Sequence, residues 1–147
     1  MISVRTATID DAPLLAPLFN AYRVFYKQAS DVNAAKKFLE ERLLKNESVI
    51  FLSFTEDALV GFTQLYPVFS SVSMKRAWVL NDLFIDVSAR GKGIGTLLLE
   101  AAKQLGRETE SKYLLLQTQD DNYAAQHLYN KNEWKRVNDI FYEFDLC

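Results

Sequence analysis

Cysteine is almost missing from this chain. Cys147 is the only one among 147 residues, so neither an internal disulfide nor a cysteine-based metal site can form. A reducing compartment suits such a sequence, and the expected location is the cytoplasm. No apolar run is long enough to cross a bilayer, so no membrane partner is expected. The opening MISVRTATIDD lacks a cationic segment followed by an apolar one and does not read as a signal peptide. Excess charge is missing too. With 17 basic and 19 acidic residues, a net charge of −2, the cationic field of a nucleic-acid binder is not there, and no nucleic-acid partner is expected. Glycine is scarce, yet three of the five glycines, Gly91, Gly93 and Gly95, fall together.

What is present is apolar and aromatic. The aromatic share of 13% needs a core to bury it, which excludes a disordered chain, and the length suits one domain spanning residues 1–147. Residues 2–8 alternate like a strand, and TIDDAP reads as a helix start with Asp10 or Asp11 as cap and Pro13 in the first turn. Leu14, Leu15, Leu18, Phe19, Tyr22 and Phe25 then recur at helical spacing, with Pro17 either inside that helix or marking its true first turn. Residues 30–46 predict a second amphipathic helix. Residues 48–55 and 60–66 predict a hairpin, a serine-rich bend follows, and 79–85 predict the next strand. A helix after the glycines is expected to stop at Gly106. KYLLLQT reads as a buried strand, DDNYAAQHLYNKN as a short helix, and WKRV and IFYEFDL as two final strands. The expected class is α/β: a mixed sheet of about seven strands with helices on both faces.

The glycine-rich stretch NDLFIDVSARGKGIGTLLLEAAKQL joins a strand to a helix. Either the glycines let two backbone segments pack closely, or they present bare amides to an anion. The first amides of a helix have no internal partner and carry the positive end of its dipole, so a phosphate fits there, with Arg90 and Lys92 adjacent. Two phosphate loops fail on the letters. GxxxxGK[ST] is absent, and GxGxxG breaks at Thr96, with no acidic residue at the expected offset.

The pattern Arg90-x-x-Gly93-x-Gly95, after a strand and before an amphipathic helix, resembles the acyl-CoA pyrophosphate loop of the GNAT superfamily of N-acetyltransferases. KYLLLQTQDDNYAAQHLYNKNEW is similar to that family's fifth strand, fourth helix and following turn. Residues 79–134 carry the specific signal, and the earlier chain agrees in pattern only. The resemblance implies a GNAT fold split between its fourth and fifth strands, with acetyl-CoA as cosubstrate and no metal. It implies that the backbone of Leu83, Phe84 and Ile85 pairs with the pantetheine arm. It places the pyrophosphate on the loop of Arg90, Gly91, Lys92, Gly93, Ile94, Gly95 and Thr96. It further implies that Asn122 contacts the pantetheine region and that Tyr129 protonates the departing thiolate, an acid of pKa about 10 serving a thiol near 8.5. Asn122 and Tyr129 share a helical face, seven residues being within about 20° of two turns; a core aromatic is the other reading of Tyr129.

Some family members use a glutamate base on the fifth strand; here Gln117 stands in that place and cannot serve. Asp82 is then the best carboxylate, acting directly or through water, unless it is a structural acceptor. Asn81 could orient the substrate, and His127 reads as solvent-exposed. The flow of residues 66–84 is similar to the branch acting on polyamines, small amines or histone-type lysines. The implied reaction is acetyl transfer to a small-molecule primary amine in a ternary complex, with a homodimer as the expected assembly. The alternatives are a protein lysine or N-terminal acetyltransferase and a non-catalytic acyl-CoA-binding regulator.

Overall fold

The computed structural model describes residues 1–147, which form two compact units, Met1–Gln117 and Thr118–Cys147. The first unit contains β1 (Ile2–Thr6), α1 (Ala12–Phe25), α2 (Val32–Leu44), β2 (Val49–Thr55), β3 (Ala58–Ser70), β4 (Lys75–Ile85), α3 (Ile94–Glu108) and β5 (Leu114–Leu115). The second contains α4 (Tyr123–Lys131). The sheet runs β1-β2-β3-β4-β5. Its first three ladders are antiparallel and the last, β4 to β5, is parallel, so the sheet is mixed as expected.

Alternation along the strands divides the core between two faces. Ile50, Leu52, Phe62 and Phe84 meet Ala12, Leu15, Ala16 and Phe19 of α1 and Ala35 and Leu39 of α2. On the other face Ile94 and Leu98 of α3 pack with Val60, Leu83 and Ile85. Pro13 sits in the first turn of α1, whereas Pro17 lies inside the helix. Pro17 is exposed, so the carbonyl deprived of its helical donor can turn to water. Asp11 does not cap α1 with its side chain; Arg5 claims it instead, as described below. Asp31 does cap α2, accepting from the Ala34 amide at 3.0 Å.

Four expectations need correction. The sheet has five strands rather than about seven: no strand forms in residues 132–147, where Ile140, Phe141, Tyr142, Phe144 and Leu146 are exposed. Their alternation supplies β propensity, but a strand forms only where a neighbour completes its hydrogen bonds and covers a face. KYLLLQT yields only Leu114–Leu115, paired on one side and half-buried rather than enclosed. The serine-rich bend is tighter than predicted, because β3 continues through Pro67 to Ser70, which pair with Trp78 back to Lys75. Finally, α3 runs past Gly106. A side chain at Gly106 would begin 3.2 Å from Leu114, so that glycine serves close packing instead of ending the helix.

Candidate active site

β4 ends at Ile85, and the Asp86 amide still donates to Val60 O at 2.8 Å. The Asp86 carboxylate accepts from the amide and the hydroxyl of Ser88, which holds it below the usual carboxylate range. A short turn over Val87–Ala89 leads into Gly91 (φ 77°) and Gly93 (φ 82°), and Gly93 is the N-cap of α3. A Cβ at Gly91 or Gly93 would meet nothing within 4 Å. Left-handed conformation, rather than crowding by the protein, therefore selects glycine, and the space over the backbone stays open. Leu97 is the first residue of α3 to close a helical bond, to Gly93 O at 3.3 Å, so Ile94 and Gly95 have no acceptor inside the helix. No acidic residue occupies its first turn. Such a helix start suits a phosphate.

The loop residues divide by what they can offer. Gly95 and the Ile94 side chain are buried, so they can present only backbone; Lys92 is exposed. Arg90 turns back along β4: its Nε donates to Ile85 O at 3.0 Å, and its guanidinium rests over Phe25 and Phe84, 5.8 and 5.4 Å from the ring centres.

β4 is bound along one edge and mostly open along the other. Leu83, Phe84 and Ile85 pair with Thr63, Phe62 and Gly61 of β3. On the far side β5 reaches only Trp78 and Val79. No strand follows β4 from Leu80 onward there, so an extended ligand could pair with it as an added strand. Gln64 pairs with Asp82 while Leu65 pairs with Leu80, leaving Asn81 as the extra residue of a bulge. Bulges re-aim side chains beside such an edge.

Asp82 next to that bulge is 5% exposed. Tyr22 Oη donates to its Oδ1 at 2.8 Å, Asn81 Nδ2 to the same oxygen at 3.0 Å, and Gln64 Nε2 to Oδ2 at 2.7 Å. Ser48 Oγ donates to Gln64 Oε1 at 2.8 Å, fixing which way that amide points. None of the chain's ion pairs includes Asp82. Its neighbour Tyr66 is pushed up to about 12, first by burial and then by the charge of Asp82, against the opposing pull of Arg42 and Gln64.

In the second unit, Asn122 is the N-cap of α4, its Oδ1 accepting from the Ala125 amide at 3.2 Å. Its side-chain NH₂ is therefore the part left for a ligand. Tyr129 is half-buried, 6.2 Å from the ring of Trp134, on a helix that buries none of its residues. His127 is exposed. The left-handed residue after α4 is Glu133 (φ 68°), not Asn132, whose φ is −98°.

These elements correspond to a known family. The profile of the acetyltransferase (GNAT) family matches residues 15–134. The chain belongs to that family. It is 49% identical over 134 residues to the uncharacterized N-acetyltransferase YhfO of Bacillus subtilis (strain 168), which covers 91% of this chain and 90% of that protein. It is also similar to the crystal structure of a probable acetyltransferase, at 41% identity and a TM-score of 0.90 over 99% of this chain and 97% of the other. Aminoglycoside N-acetyltransferase AAC(6')-Iy, solved in complex with CoA, shares the fold at 15% identity, with a TM-score of 0.83 over 100% of this chain and 96% of its own.

The protein is thus an acetyl-transferring enzyme of the GNAT type, a family that uses acetyl-CoA. Within this GNAT fold, sequence reasoning singled out the glycine loop, Asp82, Asn122 and Tyr129. It missed Tyr22, assigned there to an apolar helix face, and Gln64. A hydroxyl at one edge of that face was the available signal for Tyr22. Nothing in the spacing of β3 marks Gln64.

Proposed function

We propose that this enzyme transfers an acetyl group from acetyl-CoA to the primary amine of a small molecule, by direct attack while both substrates are bound. The observation that carries this reading is the continuity of three features: an open β4 edge, a left-handed glycine turn at the start of α3, and the buried carboxylate of Asp82 beside the bulge. The space over Gly91 and Gly93 fits a diphosphate, which would lie against the backbone of residues 90–96 with Lys92 beside it. The exposed edge at Leu83, Phe84 and Ile85 suits the amides of a pantetheine arm.

Acetyl-CoA supplies the thioester carbonyl; the amine nitrogen attacks its carbon, and the C–S bond breaks. The protein's part is to hold the carbonyl near backbone amides at the bulge, where a donor strengthens as negative charge develops on oxygen. Asp82 accepts the proton that the amine must lose. Tyr129 Oη delivers a proton to the sulfur, and the Asn122 amide orients the arm. A single domain over residues 1–147 belongs to this reading, and it is supported by a family match over residues 15–134.

A screen of small amines, amino-acid-like amines and lysine peptides with acetyl-CoA, read as thiol release, tests the reading. Turnover on small amines is expected; turnover on peptides alone would reassign the acceptor, and binding without turnover would reject the enzyme reading. Tyr129→Phe should lower kcat about tenfold or more while CoA affinity holds. An unchanged kcat removes Tyr129 as the acid.

A further inference from the structure

Asp82 is a poor candidate for direct contact with a substrate. It is 5% exposed, and both acceptor positions of Oδ1 are filled, by Tyr22 and Asn81. A base must come within hydrogen-bond reach of the proton it takes, directly or through one intermediary. Tyr22 provides that intermediary. It is half-buried rather than enclosed, it leaves the last turns of α1, and its hydroxyl lies 2.8 Å from Asp82 Oδ1. Its ring is fixed by Phe62 at 5.6 Å, Phe84 at 5.7 Å and Tyr26 at 5.2 Å. Gln64, itself oriented by Ser48, fixes the opposite oxygen of the carboxylate. A reactive group, an acceptor behind it and a third group orienting the acceptor is the arrangement by which proteins activate weak bases.

Resting on the acetyl-transfer reading above, we propose that Tyr22 and Asp82 form a relay that deprotonates the acceptor amine. The ammonium N–H bond breaks as its proton moves to Tyr22 Oη. The Tyr22 O–H bond breaks as that proton moves to Asp82 Oδ1. The amine keeps the electron pair, becomes neutral and attacks, and Asp82 ends as the neutral acid. Once bonded to the acyl carbon the nitrogen sheds its second proton to solvent, and the Tyr129 phenolate left by protonation of sulfur regains one from solvent, so charge and protons balance. Tyr66, the other phenol near Asp82, is held up near 12 by burial and by the same carboxylate, which suits a bystander. The acceptor this relay serves is a basic alkylamine, charged at neutral pH, since an amine that arrives neutral has no proton to lose before it can attack.

Tyr22→Phe keeps the ring and its packing and removes only the hydroxyl. With acetyl-CoA saturating and the best alkylamine from the screen, Tyr22→Phe and Asp82→Asn should each lower kcat by about 100-fold. The double variant should be no worse than the more damaging single one, because the two act as a unit. CoA affinity by calorimetry and the melting temperature of Tyr22→Phe should stay near wild type. A fluorinated isostere of the same alkylamine, less basic and partly neutral on arrival, should lose markedly less with Tyr22→Phe. Wild-type turnover by Tyr22→Phe, losses that multiply in the double variant, or equal losses for the two amines would each overturn the relay while leaving acetyl transfer intact. If the wild type acetylates no amine, both readings fall together.

Discussion

Asp11 and Asp82 are both buried, 9% and 5% exposed, yet they are completed in opposite ways. Asp11 is gripped by the Arg5 guanidinium through two bonds of 2.8 and 2.7 Å, and it accepts from the Thr8 amide at 2.8 Å. The bonds from Arg5, then Thr8, outweigh burial and hold its carboxyl down to about 2. Asp82 has comparable burial but only neutral donors. A carboxylate closed off by a cation ties β1 to the approach to α1 and has nothing further to accept. Asp82, held by Tyr22, Asn81 and Gln64, has no cation among its hydrogen-bond partners. Burial alone does not tell the two apart; the identity of the partners does, and it is what makes Asp82 the candidate.

The sharpest way to break this comparison is Asp82→Asn, with an expected loss of about 10² to 10⁴ in kcat/KM for the amine and little change in melting temperature. The fold can absorb it: Gln64 can flip its amide to accept from the new NH₂, and Ser48, which now donates to Gln64, can accept in return. A large fall in melting temperature with kcat/KM preserved would make Asp82 a scaffold residue like Asp11. The contrast carries over to backbone with Gly93→Val, which forces a β-branched residue into φ 82°. The strain is about 1–3 kcal/mol, and the side chain enters space the loop leaves open, so the dissociation constant for CoA should rise about tenfold or more. Calorimetry showing wild-type affinity would remove the loop from the binding site.

Asp11→Asn should do the reverse of Asp82→Asn, costing about 1–2 kcal/mol in urea unfolding, discounted because Arg5 is half exposed, while kcat/KM holds. The smallest effect is its acid dependence. The Asp11 carboxyl is depressed from 3.8 to about 2, so its stabilisation is complete above about 4 and is lost as pH falls toward 2. The stability gap between wild type and Asp11→Asn should therefore narrow across that window; a constant gap would mean the ion pair contributes nothing.

Legibility in the sequence followed how local the cause was. The glycine turn was readable because rarity and left-handed conformation are properties of Gly91 and Gly93 themselves, and the faces of α1, α2 and α3 because helical spacing is local. Asp82 could be named from its place on a strand, but its partners could not. Tyr22 lies sixty residues away, and the bulge at Asn81 depends on how β3 and β4 register. The over-reading of residues 134–146 has the same origin, since β alternation describes a strand's faces and says nothing about whether a neighbour exists. Pro17 was left between two places because the spacing alone does not say that its side of α1 meets water.

The parallel clasp of β4 on β5 is confined to Trp78 and Val79. Amide protons that point toward β3 from residues 80–85 are locked in a ladder, while alternate ones point toward the unlaced side. In deuterated water the strand should therefore label in a checkerboard, neighbouring positions differing in protection although they lie on one rigid segment. Saturating CoA should slow the fast set selectively, turning a pattern of uneven exchange into a footprint of the ligand.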